Sequence, residues 1–349
     1  MPRSVKTGTG RSPLRPAAAR SDRKPPPVFF GAFDRHNLGD ILLGYVAAAE
    51  VGADDTAFAG LAARDLTSWG GQRVAALESF TTPLTLIHVG GELLDCDAAQ
   101  AAYMLGEPEP RWRRQAPYVV ARHELPAGSD VEFRAVGGVD LAGRDEAFRA
   151  EVFAALHEAS SVSVRDLTTQ ALLAAAGIDA ALVPDPVTRI GQLFGERIRG
   201  RIQRRDPYLA VQFAAECGDD ATLAAFARGL DRLGLPVVLF RAGAAPWHDA
   251  LEPYCRLAAR LALPARVFES LDVWDICALI AGSSGFIGTS LHGRIVAESF
   301  GVPALSLERE SGAAQKLRAY LATWSPGDVA LDPEAFADGA FVFLAKMPA

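Results

Sequence analysis

From residue 28 onward, short apolar runs ending in glycine or a polar residue alternate with longer segments rich in Ala and Leu. Each such pair reads as one βα unit, and a succession of them folds around a parallel sheet with helices on its faces. In the first half the expected strands are Val28–Phe33, Thr85–Val89, Tyr118–Ala121, Glu132–Val136, Ser161–Val164 and Ala181–Val183. The expected helices are Asp40–Val51, Arg144–Glu158 and Thr168–Ala176, the last stopping at Gly177, as helices do where a positive φ is needed. An arginine-rich stretch without a strand pattern follows. The rhythm then restarts with strands Tyr208–Phe213, Val237–Phe240, Arg266–Phe268, Gly285–Gly288 and Ala304–Leu307. Helices Asp219–Leu233, His248–Leu261, Val273–Ala281, Leu291–Phe300 and Ala313–Thr323 alternate with them.

With 349 residues the chain exceeds one ordinary core and fits two domains of about 150 residues. The fold class expected is α/β, with two Rossmann-like domains facing a central cleft. Residues 1–27 read as a disordered tail, 28–190 as the first domain, 191–206 as the linker and 207–330 as the second domain. Residues 331–349 are expected to pack as a terminal helix returning to the first domain. Ligands of such folds sit at the carboxyl ends of the strands, so the cleft is where function is sought.

Charge narrows the partners. Residues 1–24 carry seven basic side chains against Asp22 alone, whereas the chain as a whole is −7, leaving −13 on the remainder. A body that acidic argues against nucleic acid as a partner. The tail is poor in large apolar residues and leaves room for peripheral contact with anionic lipid. Apolar stretches are too short and too interrupted to span a bilayer, and the N-terminal arginines have no apolar segment behind them. The cysteines Cys96, Cys217, Cys255 and Cys277 form no C-x-x-C pair and read as core residues of a reducing compartment. The expected location is therefore the cytoplasm, at the inner face of the membrane if the tail engages lipid. His36, His88, His123 and His157 show no metal-ligand spacing, so neither metal nor cofactor is implied.

Several strand ends carry polar groups suited to an anion and a hydroxyl-bearing partner. The loop Gly31–Asp40 lies between the first strand and its helix and brings Asp34, Asn37 and Asp40, with Asp40 alternatively serving as the helix N-cap. Gly90 and Gly91, followed by Glu92, end the next strand and imply close backbone approach by a ligand or a helix. Arg165 ends a strand where its guanidinium can grip a carboxylate or phosphate, or pair with Asp166 or Asp185. Asp185, between two prolines, reads as a turn residue. Thr289, Ser290, His292, Gly293 and Arg294 surround a helix N-terminus, where hydroxyls, open N–H groups and the helix dipole favour a negative charge. Arg241 ends another strand, and His248 and Asp249 either join the site or begin a helix.

In order and context these segments resemble the polysaccharide pyruvyl transferase family. The motifs are N-L-G-D (Asn37–Asp40), Gly90-Gly91, S-V-R-D (Ser163–Asp166), V-P-D-P (Val183–Pro186), L-H-G (Leu291–Gly293) and G-V-P (Gly301–Pro303), spread over residues 28–325. The resemblance implies a fold like the GT-B glycosyltransferases, phosphoenolpyruvate as donor and a surface-polysaccharide or lipid-linked saccharide as acceptor. It also implies His292 and Asp40 as catalytic residues. Arg165, Arg241, Thr289, Ser290, Gly293 and Arg294 then face the donor, and Asp34, Asn37, Gly91 and Glu92 the acceptor. Members commonly carry Arg two residues before the His. Here that position is Ser290, which leaves Arg294, one turn later, to supply the charge. The other readings are a nucleotide-sugar glycosyltransferase, kept open by Glu298 and Glu308, and a non-catalytic relative that binds an anion.

Overall fold

The computed structural model describes residues 26–52, 56–203, 206–246, 250–309, 315–337 and 343. The basic tail and the pair His248-Asp249 therefore lie outside the described residues. Among those described, the first sheet comprises β1 (Pro27–Phe30), β2 (Ala57–Gly60), β3 (Arg64–Asp65), β4 (Arg73–Ala76), β5 (Thr85–Val89), β6 (Asp130–Val136), β7 (Ser161–Val164) and β8 (Ala181–Leu182). Their spatial order is β3-β4-β2-β1-β5-β6-β7-β8, and only β3 with β4 is antiparallel. The second sheet comprises β9 (Leu209–Gln212), β10 (Val237–Phe240), β11 (Ala265–Phe268), β12 (Gly285–Gly288) and β13 (Ala304–Ser306), all parallel, in the order β11-β10-β9-β12-β13. Central strands such as β5 and β10 are buried along their whole length, as parallel strands covered on both faces must be.

The helices are α1 (Leu38–Val51), α2 (Ala98–Leu105), α3 (Glu146–Glu158), α4 (Leu167–Ala175), α5 (Ile190–Arg199), α6 (Asp220–Leu233), α7 (Glu252–Ala258), α8 (Val273–Ala281), α9 (Leu291–Ser299) and α10 (Gln315–Trp324). Most begin on a short polar side chain that accepts an otherwise orphaned N–H. Asn37, Asp97, Asp145, Asp166, Asp272 and Ser290 all do so. Asn37 rather than Asp40 caps α1, since its Oδ1 accepts from Gly39 N at 3.0 Å and Asp40 N at 3.3 Å.

The lobes are not separated by an open crevice along their full width. One apolar core runs from Phe29, Ile41 and Leu42 in the first lobe to Trp274, Phe286 and Ile295 in the second. The stretch expected as a linker is largely the ordered helix α5, whose Ile190 and Ile198 enter this shared core, while Arg197 lies 3.8 Å from the centre of the Trp274 ring. Backbone hydrogen bonds also cross the seam: Leu38 N donates to Ala242 O at 2.8 Å, and Ala244 N to His36 O at 3.0 Å. The chain crosses back through α10, where Trp324 Nε1 donates to the Arg165 carbonyl at 2.8 Å. The described part of the terminal segment instead lies with the second lobe. Leu331 pairs beside Leu307, and Phe336 and Phe343 fill the core under α6.

Two local departures from expectation shape the site. Tyr118–Ala121 is not a strand: Val120 N donates to His88 Nε2 at 3.2 Å and Ala121 N to Glu124 Oε2 at 2.8 Å, which takes these groups out of any ladder. In β6, Ala135 adopts a φ of 52° where the pairing to β7 shifts register. Such a bulge re-aims the strand end. It delivers the Gly137–Asp140 turn against Glu92, with Val139 N donating to Glu92 Oε2 at 3.3 Å.

Candidate functional site

At the carboxyl ends of β5, β7 and β8 the first lobe assembles a line of buried charges that ends on a histidine of the second lobe. Arg165, 3% exposed at the end of β7, donates through Nη2 to Glu92 Oε1 and through Nη1 to Asp185 Oδ2, the latter at 2.8 Å. The same Asp185 oxygen meets His292, whose Nε2 stands 3.4 Å from Oδ2. That is an ion-pair separation, and among the described residues Nε2 makes no hydrogen bond. Burial alone would raise the Asp185 carboxyl, but the charges of His292 and Arg165, with the Val187 N–H, outweigh it and hold the group well below the usual carboxylate range. The Arg165 guanidinium is likewise held above its ordinary value: burial opposes its charge, and Glu92 and Asp185 overcome that. Of the two roles open to Arg165, a grip on a ligand or a pair with a carboxylate, the structure shows the pair with Asp185, and both outer nitrogens are engaged by carboxylates.

His292 lies in the first turn of α9, and α1 from the other lobe holds it in place. Its ring rests on the backbone of Gly39, and a Cβ at residue 39 would overlap the imidazole. The N-L-G-D loop therefore needs glycine for close approach rather than for a turn. Ser290 caps α9 through Oγ, which accepts from Gly293 N at 3.1 Å. Its own N–H donates to Gln212 Oε1 at 2.9 Å, and Thr289 Oγ1 reaches the same oxygen at 3.3 Å. Gln212, at the end of β9, escaped sequence reading because a lone Gln carries no motif. The first-turn N–H groups of Leu291 and His292 have no acceptor within an α-helix and point out of it, a natural seat for an anion.

The remaining candidates divide. Asp34 is buried under the first lobe, where it accepts from Tyr118 Oη at 2.9 Å and Ala62 N at 2.9 Å, with burial raising its carboxyl. It ties two loops together rather than facing a ligand. Asp40 pairs with Arg35 Nε at 3.0 Å, beside Gly91. Gly90 and Gly91 adopt φ of 53° and 72°, and a Cβ at residue 90 would run into Leu43 of α1, so the pair serves helix packing and the turn that aims Glu92. Arg294 is corrected most plainly. It turns into the second lobe, donating to Glu298 at 2.7 Å, to Ser306 at 3.0 Å and to Asp328. It does not supply the charge absent at Ser290. A Cβ on Gly293 would press on the Phe286 ring, so that glycine is a packing requirement. Arg241 ends β10 at the lobe seam, next to Ala242, whose carbonyl accepts from Leu38.

A further carboxyl completes the acidic floor beside Glu92. Asp95, which accepts from Asp140 N at 2.8 Å, is pushed up to about 7 by burial and by the Glu92 charge. A carboxyl raised above its unfolded value favours folding at low pH and loses that advantage as pH rises through its folded value. Asp95→Asn should therefore stabilise the protein increasingly between about pH 4 and pH 7, levelling at about 2–4 kcal/mol. Chemical denaturation of both proteins at pH 5 and pH 8 checks this: a gain independent of pH would remove the assigned titration.

No curated protein matches the chain in sequence. Among solved structures, the UDP-GlcNAc 2-epimerase from Methanocaldococcus jannaschii is similar at 11% identity and a TM-score of 0.56, over 90% of this chain and 91% of that one. The UDP-GlcNAc 2-epimerase from Neisseria meningitidis bound to UDP-GlcNAc is similar at 11% identity and a TM-score of 0.52, over 93% and 94%. At such identity the likeness is one of fold, the GT-B-like pairing of two parallel-sheet lobes. Among the described residues no group of His, Cys, Asp and Glu is arranged to hold a metal, and no helix is long and apolar enough to cross a membrane. Residues 142–311, which carry Arg165, Asp185 and His292, are the segment by which this chain matches the polysaccharide pyruvyl transferase family.

Proposed function

We propose that the chain transfers a pyruvyl group from phosphoenolpyruvate to two hydroxyls of a saccharide, forming a cyclic ketal and releasing phosphate. The observation that carries this is His292 of the L-H-G motif, held against Asp185 at 3.4 Å in the first turn of α9. A buried carboxylate beside an imidazole restricts its orientation. The reaction needs a group that can both give and take a proton, which an imidazole can do.

In the proposed reaction the methylene of phosphoenolpyruvate takes a proton, which makes C2 electrophilic. One saccharide hydroxyl adds to C2, the C2–O bond to phosphate breaks with its electron pair leaving on phosphate, and the second hydroxyl closes the ketal. Of the two hydroxyl protons, one balances the new methyl group and the other leaves with phosphate. His292 is the group that moves them. The donor's anionic groups are assigned to the α9 N-terminus, with Thr289 and Ser290, and to Arg241. Arg165 acts at one remove by holding Asp185. A lipid-linked acceptor would bring the protein to a membrane surface.

The epimerase neighbours favour a second reading, a nucleotide-sugar ligand on the same lobes, since one of them is described in complex with UDP-GlcNAc and UDP. The carboxylates that kept a ribose site open are engaged here: Glu298 by Arg294 and Tyr320, and Glu308 by Arg318. Isothermal titration separates the two readings. Phosphoenolpyruvate should bind, Arg241→Ala should weaken it about tenfold or more, and UDP-GlcNAc should bind far more weakly. Tighter binding of UDP-GlcNAc than of phosphoenolpyruvate would transfer the site to nucleotide-sugar chemistry.

A further inference from the structure

The β1–α1 loop holds a second histidine that the Asp185–His292 pair does not use. His36 is 4% exposed, and its Nε2 lies 2.7 Å from the carbonyl of Leu271 in the other lobe. A carbonyl oxygen only accepts, so Nε2 carries the proton. Burial, aided by the Arg241 charge, outweighs the Leu271 carbonyl and lowers the imidazole's tendency to take a second proton. Nδ1 is then a bare lone pair, buried and without a partner among the described residues. A buried acceptor left this way calls for a missing donor.

An independent feature stands beside it. Trp69, 37% exposed, meets the His36 ring edge-on, with centroids 5.2 Å apart and planes at 86°. The backbone that carries the indole is tied to the second lobe, because the next residue, Gly70, offers its carbonyl to Trp274 Nε1 at 2.9 Å. Its neighbourhood is the lobe seam near Leu271 and Arg241. Three residues separate His36 from Gly39, on which His292 rests, and three residues of chain span at most about 10 Å.

We infer that Trp69 and His36 form a saccharide subsite, the indole lying against the C–H face of a pyranose ring while a ring hydroxyl donates to His36 Nδ1. A neutral sugar fits both halves of this pair, since it presents an apolar face and hydroxyl donors together. Nδ1 is buried, so a hydroxyl reaches it only when the partly exposed Trp69 side chain turns aside. Identifying this sugar as the acceptor rests on the pyruvyl transfer proposed above; the binding of a sugar here does not.

The test is saturation-transfer NMR and tryptophan fluorescence on the full chain with methyl glycosides of glucose, galactose, mannose and N-acetylglucosamine. Wild type should bind at least one of them with a fluorescence change. Trp69→Ala should weaken that binding about tenfold, and Trp69→Phe should retain most of it. His36→Gln keeps an N–H for the Leu271 carbonyl but removes the Nδ1 acceptor, and should also cost about tenfold. Phosphoenolpyruvate affinity, titrated in parallel, should stay within about twofold in all three variants. No glycoside bound by wild type, or unchanged binding in folded Trp69→Ala, overturns the subsite. Failure of phosphoenolpyruvate to bind, with the glycoside results as expected, removes the donor assignment and leaves the subsite standing.

Discussion

Replacing His292 with alanine is expected to lower turnover by about 10²–10⁴-fold, the usual contribution of a positioned general acid/base, while donor affinity changes only a few-fold. The fold should survive, because the imidazole sits at the edge of the lobe seam and makes no hydrogen bond through Nε2. Gly39→Ala gives the same outcome by another route. Its new methyl group would occupy the space of the imidazole and push His292 off the Asp185 carboxylate without touching either residue chemically. Phosphate release measured on variants first checked by circular dichroism reads both effects. A Gly39→Ala protein with wild-type turnover would mean that the observed seat of His292 is not the working one.

Arg165→Ala carries the largest expected effect on stability. Its loss leaves Asp185, fully buried, and Glu92 without their shared cation. Breaking a buried pair by removing one partner typically costs about 3–5 kcal/mol. For a chain of this size that is a fall in Tm of roughly 4–7 °C. The sign of its pH dependence follows from Asp185. A carboxyl held below its unfolded value contributes stability above that unfolded value and loses it only as pH falls through the folded one. Wild-type Asp185 stays charged from pH 5 to pH 8, but without Arg165 burial pushes that carboxyl upward, so the Arg165→Ala penalty should be larger at pH 8 than at pH 5. Arg165→Lys should recover only part of the loss, since one ammonium cannot bridge two carboxylates as the guanidinium fork does. Scanning calorimetry at the two pH values checks both statements. An Arg165→Ala protein that melts with wild type would show that the ion-pair line carries no structural weight.

Much of the fold was legible because its signals are local. Thr85–Val89, Ser161–Val164, Val237–Phe240 and Gly285–Gly288 are apolar runs bounded by turn residues, and each forms the strand its pattern announces. Where the local signal is weak, reading failed. β2, β3 and β4 are two to four residues each and rich in Ala, Arg and Gly, residues that do not favour strands. Tyr118–Ala121 has strand composition but no neighbour to pair with, since its N–H groups go to side chains and turns. The shared core between lobes was missed because α5 carries an ordinary amphipathic pattern, and α1, apolar on most of its faces, announces burial without saying what covers it.

The site followed the same division. Motif residues at strand ends could be found, but their partners could not. Arg165, Asp185 and His292 come from three segments, and only folding shows that the arginine is occupied and that the aspartate stands between it and the imidazole. The V-P-D-P motif held the signal for Asp185: a carboxylate fixed by prolines after a strand. Its turn role was the simpler reading, and Asp185 does cap the following turn, accepting from Val187 N at 3.0 Å. Arg294 was misjudged for the converse reason. Helical spacing placed it near Ser290, yet its partners Ser306 and Asp328 lie farther along the chain and draw it inward.

The central claim is pyruvyl transfer at His292, and the most direct measurement follows phosphoenolpyruvate by phosphorus and proton NMR in the presence of mixed lipid-linked and free saccharides. For wild type, the donor signal should give way to inorganic phosphate while a ketal methyl resonance appears on a saccharide. Folded His292→Ala should leave the donor essentially unconsumed over the same time. Phosphate release by folded His292→Ala at the wild-type rate, or no consumption of phosphoenolpyruvate by wild type with the full saccharide pool, would contradict the account.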